Sequence, residues 1–326
     1  MQEKLLIMNL EVTQKCALNC PQCSFAKSSA ELDIELAKKT VSAAKNLGLQ
    51  AVNISGGETI LYPHLTELIA HCAAEKIISN IAISGVGFDE MQLNNFLVAG
   101  LHGIFVSLNG TNEKINLNSR GGFKEAIAAI KLVANSNTLF KAINWVMQSN
   151  NAENFPEVVK LAEKNNFNAV YILMYKRTAA GELKSFPTAI QLKNICRFIR
   201  GYRGNVEIVV DRCFSQLRAM LGDWIFGNTN SGIFRGCRAG LDTCALNVDG
   251  TFSPCRHMKI FDHFDSVKDY WQNSYALKKI RTADSHSPPC NKCRYFNFCR
   301  PCLVNANCDD KFSRCDNSYC PLGKNF

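Results

Sequence analysis

Short apolar runs alternate with longer stretches of helical spacing over the first two-thirds of the chain. The short runs LLIMNLEV, AVNIS, NIAIS, GIFVSL, AINWVM, AVYILMY and VEIVV read as strands. Between them Glu31–Leu47, His64–Glu75, Asp89–Ala99, Gly122–Ala134 and Pro156–Lys164 read as helices. Parallel strands need crossover connections, so a repeated strand–helix order predicts a parallel sheet. About six such units predict an α/β chain built as a partial (β/α)6 TIM-like barrel rather than a two-domain dinucleotide fold.

The alternation stops near residue 225, and from Gly236 the segments are short and rich in turn residues. A barrel at 1–222, a linker at 223–236 around GNTNSG and a small domain at 237–326 are expected. Ten of the sixteen cysteines lie in that last part, which has too few long apolar runs to bury a core by itself. Metal clusters would stand in for the missing core.

Composition narrows the setting. The chain has 326 residues, 47% of them hydrophobic and 20% charged, which suits a folded core. The first ten residues hold only a short apolar run, so no signal peptide is read. The long uncharged stretch from Gln92 to Asn112 is broken by Asn, His and Gly, and no membrane span is expected. A cytoplasmic setting follows, in which clustered cysteines are metal ligands or redox groups more often than disulfides. The formal charge of +9 leaves out thiolates, and the lysines are scattered rather than gathered in a basic arm. No nucleic-acid partner is expected.

The most specific pattern is C-x3-C-x2-C at Cys16, Cys20 and Cys23, directly after the first strand. In β/α barrels that end of the strands carries the active site. Structural zinc takes four ligands and a disulfide two, whereas three thiolates on a four-iron cluster leave one iron open. Half of a zinc knuckle, or unrelated reactive thiols, is the plainer alternative.

In these residues the chain resembles the radical S-adenosylmethionine (SAM) enzymes, whose signature is C-x3-C-x2-C in this location. ISGGET after the second strand looks like the family's GGE motif. The resemblance implies that Gly56 and Gly57 let the backbone approach the methionine amino group, with Glu58 close by. ISGVG, from Ser84, sits where the family contacts the ribose. GIFVSLNG and the later NSRGGF are similar to its S-x-D-G and R-G pattern, which implies SAM contacts from Ser107 and Asn109 and a carboxylate partner in Arg120. Two positions depart: Gln22 stands where an aromatic residue is common, and Asn109 where Asp is usual.

The tail, with CRAGLDTCALNVDGTFSPC and then CNKCRYFNFCRPC, is similar to the SPASM extension, which usually holds two auxiliary 4Fe–4S clusters. Carried over by position, one cluster takes Cys237, Cys244, Cys255 and Cys302, and the other Cys290, Cys293, Cys299 and Cys320. The family usually spaces the last pair C-x3-C, and here Cys299 and Cys302 are closer. Cys308 and Cys315 are extra thiols able to replace Cys302 or Cys320. Taken alone, the tail's C-x2-C pairs suit a zinc ribbon as well as iron.

Cys72 and Cys196 fall in helical patterns and read as small buried hydrophobes. Cys213 follows VEIVVD at a strand's end, where a thiol is placed to give a hydrogen atom to a substrate radical; a structural cysteine or a substrate contact is the alternative. The six histidines show no ligand spacing and receive no role. Trp145 and Tyr175 end later strands and suit either cavity or core.

The resemblance implies an enzyme that reductively cleaves SAM to methionine and a 5′-deoxyadenosyl radical, which abstracts a hydrogen atom from a substrate. An electron donor such as a flavodoxin or ferredoxin is implied. SPASM-bearing members commonly modify peptides by epimerisation, thioether or carbon crosslinks, or side-chain oxidation, so a peptide substrate is expected. Because the chain begins almost at the first strand, a leader peptide would have to meet a separate partner or the barrel itself. Dehydrogenation, epimerisation or decarboxylation of a sugar, nucleoside or other small metabolite is the alternative. A metal-binding interaction protein on a decayed barrel is a third reading, which the intact Cys16, Cys20, Cys23, Glu58 and Arg120 disfavour.

Overall fold

The computed structural model of the chain describes residues 4–25, 27–136, 139–177, 184–222, 236–282, 290, 293, 295, 299–306, 319–320 and 322. The expected linker lies outside them apart from Gly236, as do Cys308 and Cys315.

All seven expected strands form. In chain order the elements are β1 (Ile7–Thr13), α1 (Ile34–Lys45), β2 (Ala51–Gly56), α2 (Leu65–Ala74), β3 (Ile78–Ile83), α3 (Glu90–Val98) and β4 (Gly103–Ser107). They continue with α4 (Glu113–Leu117), α5 (Phe123–Ala134), β5 (Phe140–Met147), α6 (Phe155–Lys164), β6 (Ala169–Met174), α7 (Ala189–Gly201), β7 (Glu207–Val210) and α8 (Ser215–Leu221). Neighbouring strands from β1 to β7 pair in parallel, each with the next in sequence. This is the partial barrel that the alternation predicts.

Helix limits follow local chemistry. α1 starts later than periodicity suggests because the Asp33 side chain accepts from Leu36 N at 2.8 Å and caps it there. Capping boxes start α3 at Asp89 and α7 at Thr188, and a proline in the first turn starts α6.

The pleat divides each strand between two surroundings. Met8, Leu10, Val52, Ile54, Ile81, Ile104 and Val106 are buried in the hydrophobic core. The intervening residues face the lumen, where Asn53 donates to Asn9 at 3.4 Å and Asn80 to Asn53 at 3.3 Å. Phe105 packs edge-on against Tyr171 nearby, with centroids 5.2 Å apart. This layer closes the floor. Two residues further along the same strands, Glu11, Ser55, Ala82, Ser107 and Leu173 line a cavity at the strands' C-terminal ends.

The tail does not pack as a separate body. β8 (Thr243–Leu246) pairs in parallel with the free side of β1, and β9 (Phe252–Ser253) runs antiparallel to β8. Phe252, Tyr270, Trp271 and Leu277, the last three on the helices Val267–Asn273 and Tyr275–Thr282, share the barrel's core. Part of the core expected to be missing is therefore borrowed from the barrel.

Trp145 and Tyr175 are both buried, and Trp145 is wholly so. Its ring lies 4.8 Å from that of Phe155, and its Nε1 donates to Asn109 O at 3.2 Å. Trp145→Ala is expected to lower stability by about 3–5 kcal/mol, read from the urea midpoint of the anaerobic protein. A loss below about 1 kcal/mol would mean that this wall of the barrel is not a close-packed core.

Candidate active site

After Thr13 the chain crosses the mouth of the lumen, carrying Cys16, Cys20 and Cys23. One side of this loop is fastened to β2: Gly57 N donates to Thr13 O, and Glu58 N to Lys15 O, each at 2.7 Å. A Cβ on Gly56 would collide with the Thr13 carbonyl oxygen, and one on Gly57 with that of Lys15. Both positions need glycine for this close approach. The other side is fastened to β4 and β5. Gln22 Oε1 accepts from Asn109 Nδ2 at 2.7 Å and from Gln148 Nε2 at 2.6 Å. Asn109 Nδ2 also donates to Ser119 Oγ at 2.9 Å, while its Oδ1 accepts from Val146 N at 3.1 Å.

The two departures from the family pattern, Gln22 and Asn109, are thus partners. Asn109 is buried, and its side chain braces the loop through Gln22, Ser119 and Val146.

The cavity beneath the loop has a volume of about 310 Å3. Its walls include Cys16, Cys20, Cys23, Gly56, Gly57, Ser84, Ser107 and Arg120. Glu58 is buried behind Ser84, which donates to its Oε2 from the backbone at 2.9 Å and also from the hydroxyl. Burial raises the Glu58 pKa, opposed by the Ser84 hydrogen bonds and by the nearby Arg120 charge. Glu58 Oε1 and Arg120 Nε are both buried without a hydrogen-bond partner. Such atoms are costly unless something satisfies them, and a ligand with an ammonium and a carboxylate has the matching charges. Burial also raises the Cys16 pKa, so metal binding there must displace a proton.

The tail supplies part of the wall, which the sequence reading missed. Arg256 donates to Ser55 Oγ and lies 4.4 Å above the Phe25 ring. His257 Nδ1 is 3.0 Å from Ser24 Oγ, and its ring is 5.2 Å from that of Phe25. Burial, followed by the Arg256 and Lys176 charges, holds the His257 pKa well below the usual histidine range, so its imidazole is neutral. A search for histidine pairs cannot find such a residue; its place two positions after Cys255 is the available signal. Glu11, Lys176 and Asp211 also line the cavity.

Of the tail cysteines, Cys290, Cys293, Cys299 and Cys320 are brought near one another, as the positional carry-over implies. Cys237, Cys255 and Cys302 form a second neighbourhood. Cys244 is not in it, and Cys213 is, its thiol lying beside those of Cys237 and Cys302. Cys213 does not line the cavity, where a hydrogen-atom donor is expected. Among the described residues no three His, Cys, Asp or Glu groups gather tightly enough for a single metal ion. A four-iron cube takes its ligands at separate corners, a wider arrangement than the shell of one ion.

A family model described as the radical SAM superfamily matches residues 10–162, and one described as an iron–sulfur cluster-binding domain, SPASM, matches residues 237–294. The chain carries a radical SAM domain over residues 10–162. It is a radical SAM enzyme in which SAM and iron–sulfur clusters supply the chemistry. A curated relative of this radical SAM chain is the PqqA peptide cyclase of Bradyrhizobium diazoefficiens, 24% identical over 319 residues, 90% of this chain and 81% of the relative. The fold is shared with SuiB of Streptococcus suis bound to precursor peptide SuiA, with a TM-score of 0.82 at 18% identity, over 99% of this chain and 77% of that one. It is also shared with anSMEcpe carrying AdoMet and a peptide, with a TM-score of 0.69 at 17% identity, over 98% and 92% of the two chains. Among the described residues no helix is long and apolar enough to cross a membrane.

Ser107 and Asn109 separate lining from bracing. Asn109→Ala removes partners from Val146 N and Gln22 and is expected to cost about 2–4 kcal/mol in urea denaturation. Ser107→Ala is expected to stay within about 0.5 kcal/mol of the parent while weakening SAM binding. Equal losses of stability in the two variants would remove the distinction.

Proposed function

We propose that this chain is a cytoplasmic peptide-modifying enzyme whose Cys16, Cys20 and Cys23 hold the SAM-binding 4Fe–4S cluster. Held there and reduced, the cluster would supply the electron for cleavage of SAM to methionine and a 5′-deoxyadenosyl radical, which would take a hydrogen atom from the substrate. The single observation that carries the assignment is the convergence of the three thiols and Arg120 on one cavity, with the unpartnered Glu58 carboxylate directly behind the Ser84 of its wall. Arg120 would hold the methionine carboxylate and Glu58 the amino group, with Gly56 and Gly57 giving room for the ligand. Ser84 and Ser107 would meet the ribose side. Arg256 and His257 close the cavity against water, and the neutral His257 adds no charge beside a cluster.

A peptide substrate is supported by the names of the relatives: a peptide cyclase, and two enzymes solved with peptides. The electron would come from a small donor such as a flavodoxin or ferredoxin. Two auxiliary clusters in the tail would take the substrate's electron, bind substrate or fasten the tail.

The test begins with metal. After anaerobic reconstitution, about twelve irons per chain are expected, and about eight in a Cys16/Cys20/Cys23→Ala variant that no longer forms 5′-deoxyadenosine. About four irons with zinc retained would leave the SAM cluster and make the tail a zinc module. Peptides encoded beside the gene, deuterated at side chains and α-carbons, should pass deuterium into 5′-deoxyadenosine. Transfer from deuterated sugars or nucleosides, with none from any peptide, would overturn the peptide reading.

A further inference from the structure

Position in the tail assigns Cys244 to an auxiliary cluster and leaves Cys213 outside, and the fold reverses both placements. Cys244 is on β8 in register with Met8, and residues in register on parallel strands face the same side. Met8 faces the barrel's hydrophobic core, and Cys244 is fully buried in that core with it. Its neighbours there include Tyr270 and Arg281, the latter lying 4.3 Å above Trp271 and donating to Gly240 O at 2.9 Å.

Cys213 follows β7 by three residues, at the end of the barrel where the tail docks. Its thiol lies beside those of Cys237 and Cys302, and Cys255 lies close to both of these. Each of the four is held through its backbone. Cys213 N donates to Asp211 Oδ1 at 3.3 Å, and Cys237 N to Arg300 O at 3.1 Å. Ser253 Oγ donates to Cys255 O at 3.2 Å, and Ala306 N to Cys302 O at 2.9 Å. Beside them lies the buried Lys176, whose Nζ is 3.4 Å from Cys302 Sγ. A buried ammonium needs negative charge nearby, and four thiolates on an iron–sulfur core provide it.

We propose that Cys213, Cys237, Cys255 and Cys302 hold one auxiliary 4Fe–4S cluster and that Cys244 holds none. The assignment rests on the iron–sulfur reading of the tail. One ligand then comes from the loop that follows the barrel's last parallel strand, and the cluster bonds barrel to tail.

The test uses the full chain with Cys16/Cys20/Cys23→Ala as parent, so that only auxiliary clusters contribute. Cys213→Ala is expected to fall from about eight irons to about four, or to show the electron paramagnetic resonance of a three-iron remnant. Cys213→Ser guards against misfolding: a serine oxygen can still ligate, so iron is retained with a changed resonance. Cys244→Ala is expected to keep the parent's iron and spectrum. Cys213 variants indistinguishable from the parent, or a Cys244→Ala variant that loses a cluster, would overturn the assignment. A parent that binds zinc and no iron would instead overturn the iron–sulfur reading beneath it.

Discussion

Two backbone hydrogen bonds, from Gly57 to Thr13 and from Glu58 to Lys15, fix where the cysteine loop leaves β1, and much of the cavity follows from them. They require β2 to approach the outgoing chain so closely that a side chain at 56 or 57 would collide with it. Glycine at these positions therefore does more than make room for a ligand. It sets the height of the loop above the lumen, and so the height of the three thiols above the serines and Arg120. Gln22 and Asn109 fasten the other side, so the loop spans two supports instead of hanging from one strand.

Much of this could be read from the sequence because it is local. Strand runs such as AVYILMY and VEIVV are short, apolar and bounded by turn residues, and all seven became strands. The C-x3-C-x2-C spacing and the GGE triplet lie within single loops, so pattern alone finds them. What the pattern could not give was pairing across long separations. Gln22 and Asn109 are 87 positions apart, and each looked like a private departure from the family until the fold joined them. Arg256 and His257 carry no spacing signal, because their partners Ser55 and Ser24 lie on the barrel some 200 positions away.

The thiols show the same limit more sharply. Cysteines 237, 244 and 255 are close in sequence, and closeness invites one ligand set. β8 intervenes: a strand turns alternate residues to opposite faces, and Cys244 falls on the face that the core claims. Cys213 comes before α8 and belongs by position to the barrel, so sequence order gives no hint that its loop meets Cys237 and Cys302.

The seam between β1 and β8 also bears on how the molecule comes together. Asn9 and Cys244 touch across 235 positions of sequence, so the strand that leads into the cysteine loop is synthesised long before the strand that becomes its outer neighbour. Until then β1 is an edge strand, with unpaired backbone groups and the thiols beside them open to solvent. Contacts of such long range form slowly because the intervening chain must first be ordered. The cysteine loop, half-buried in the finished protein, is thus more open in the nascent one, in the interval when iron and sulfide have their least obstructed way in.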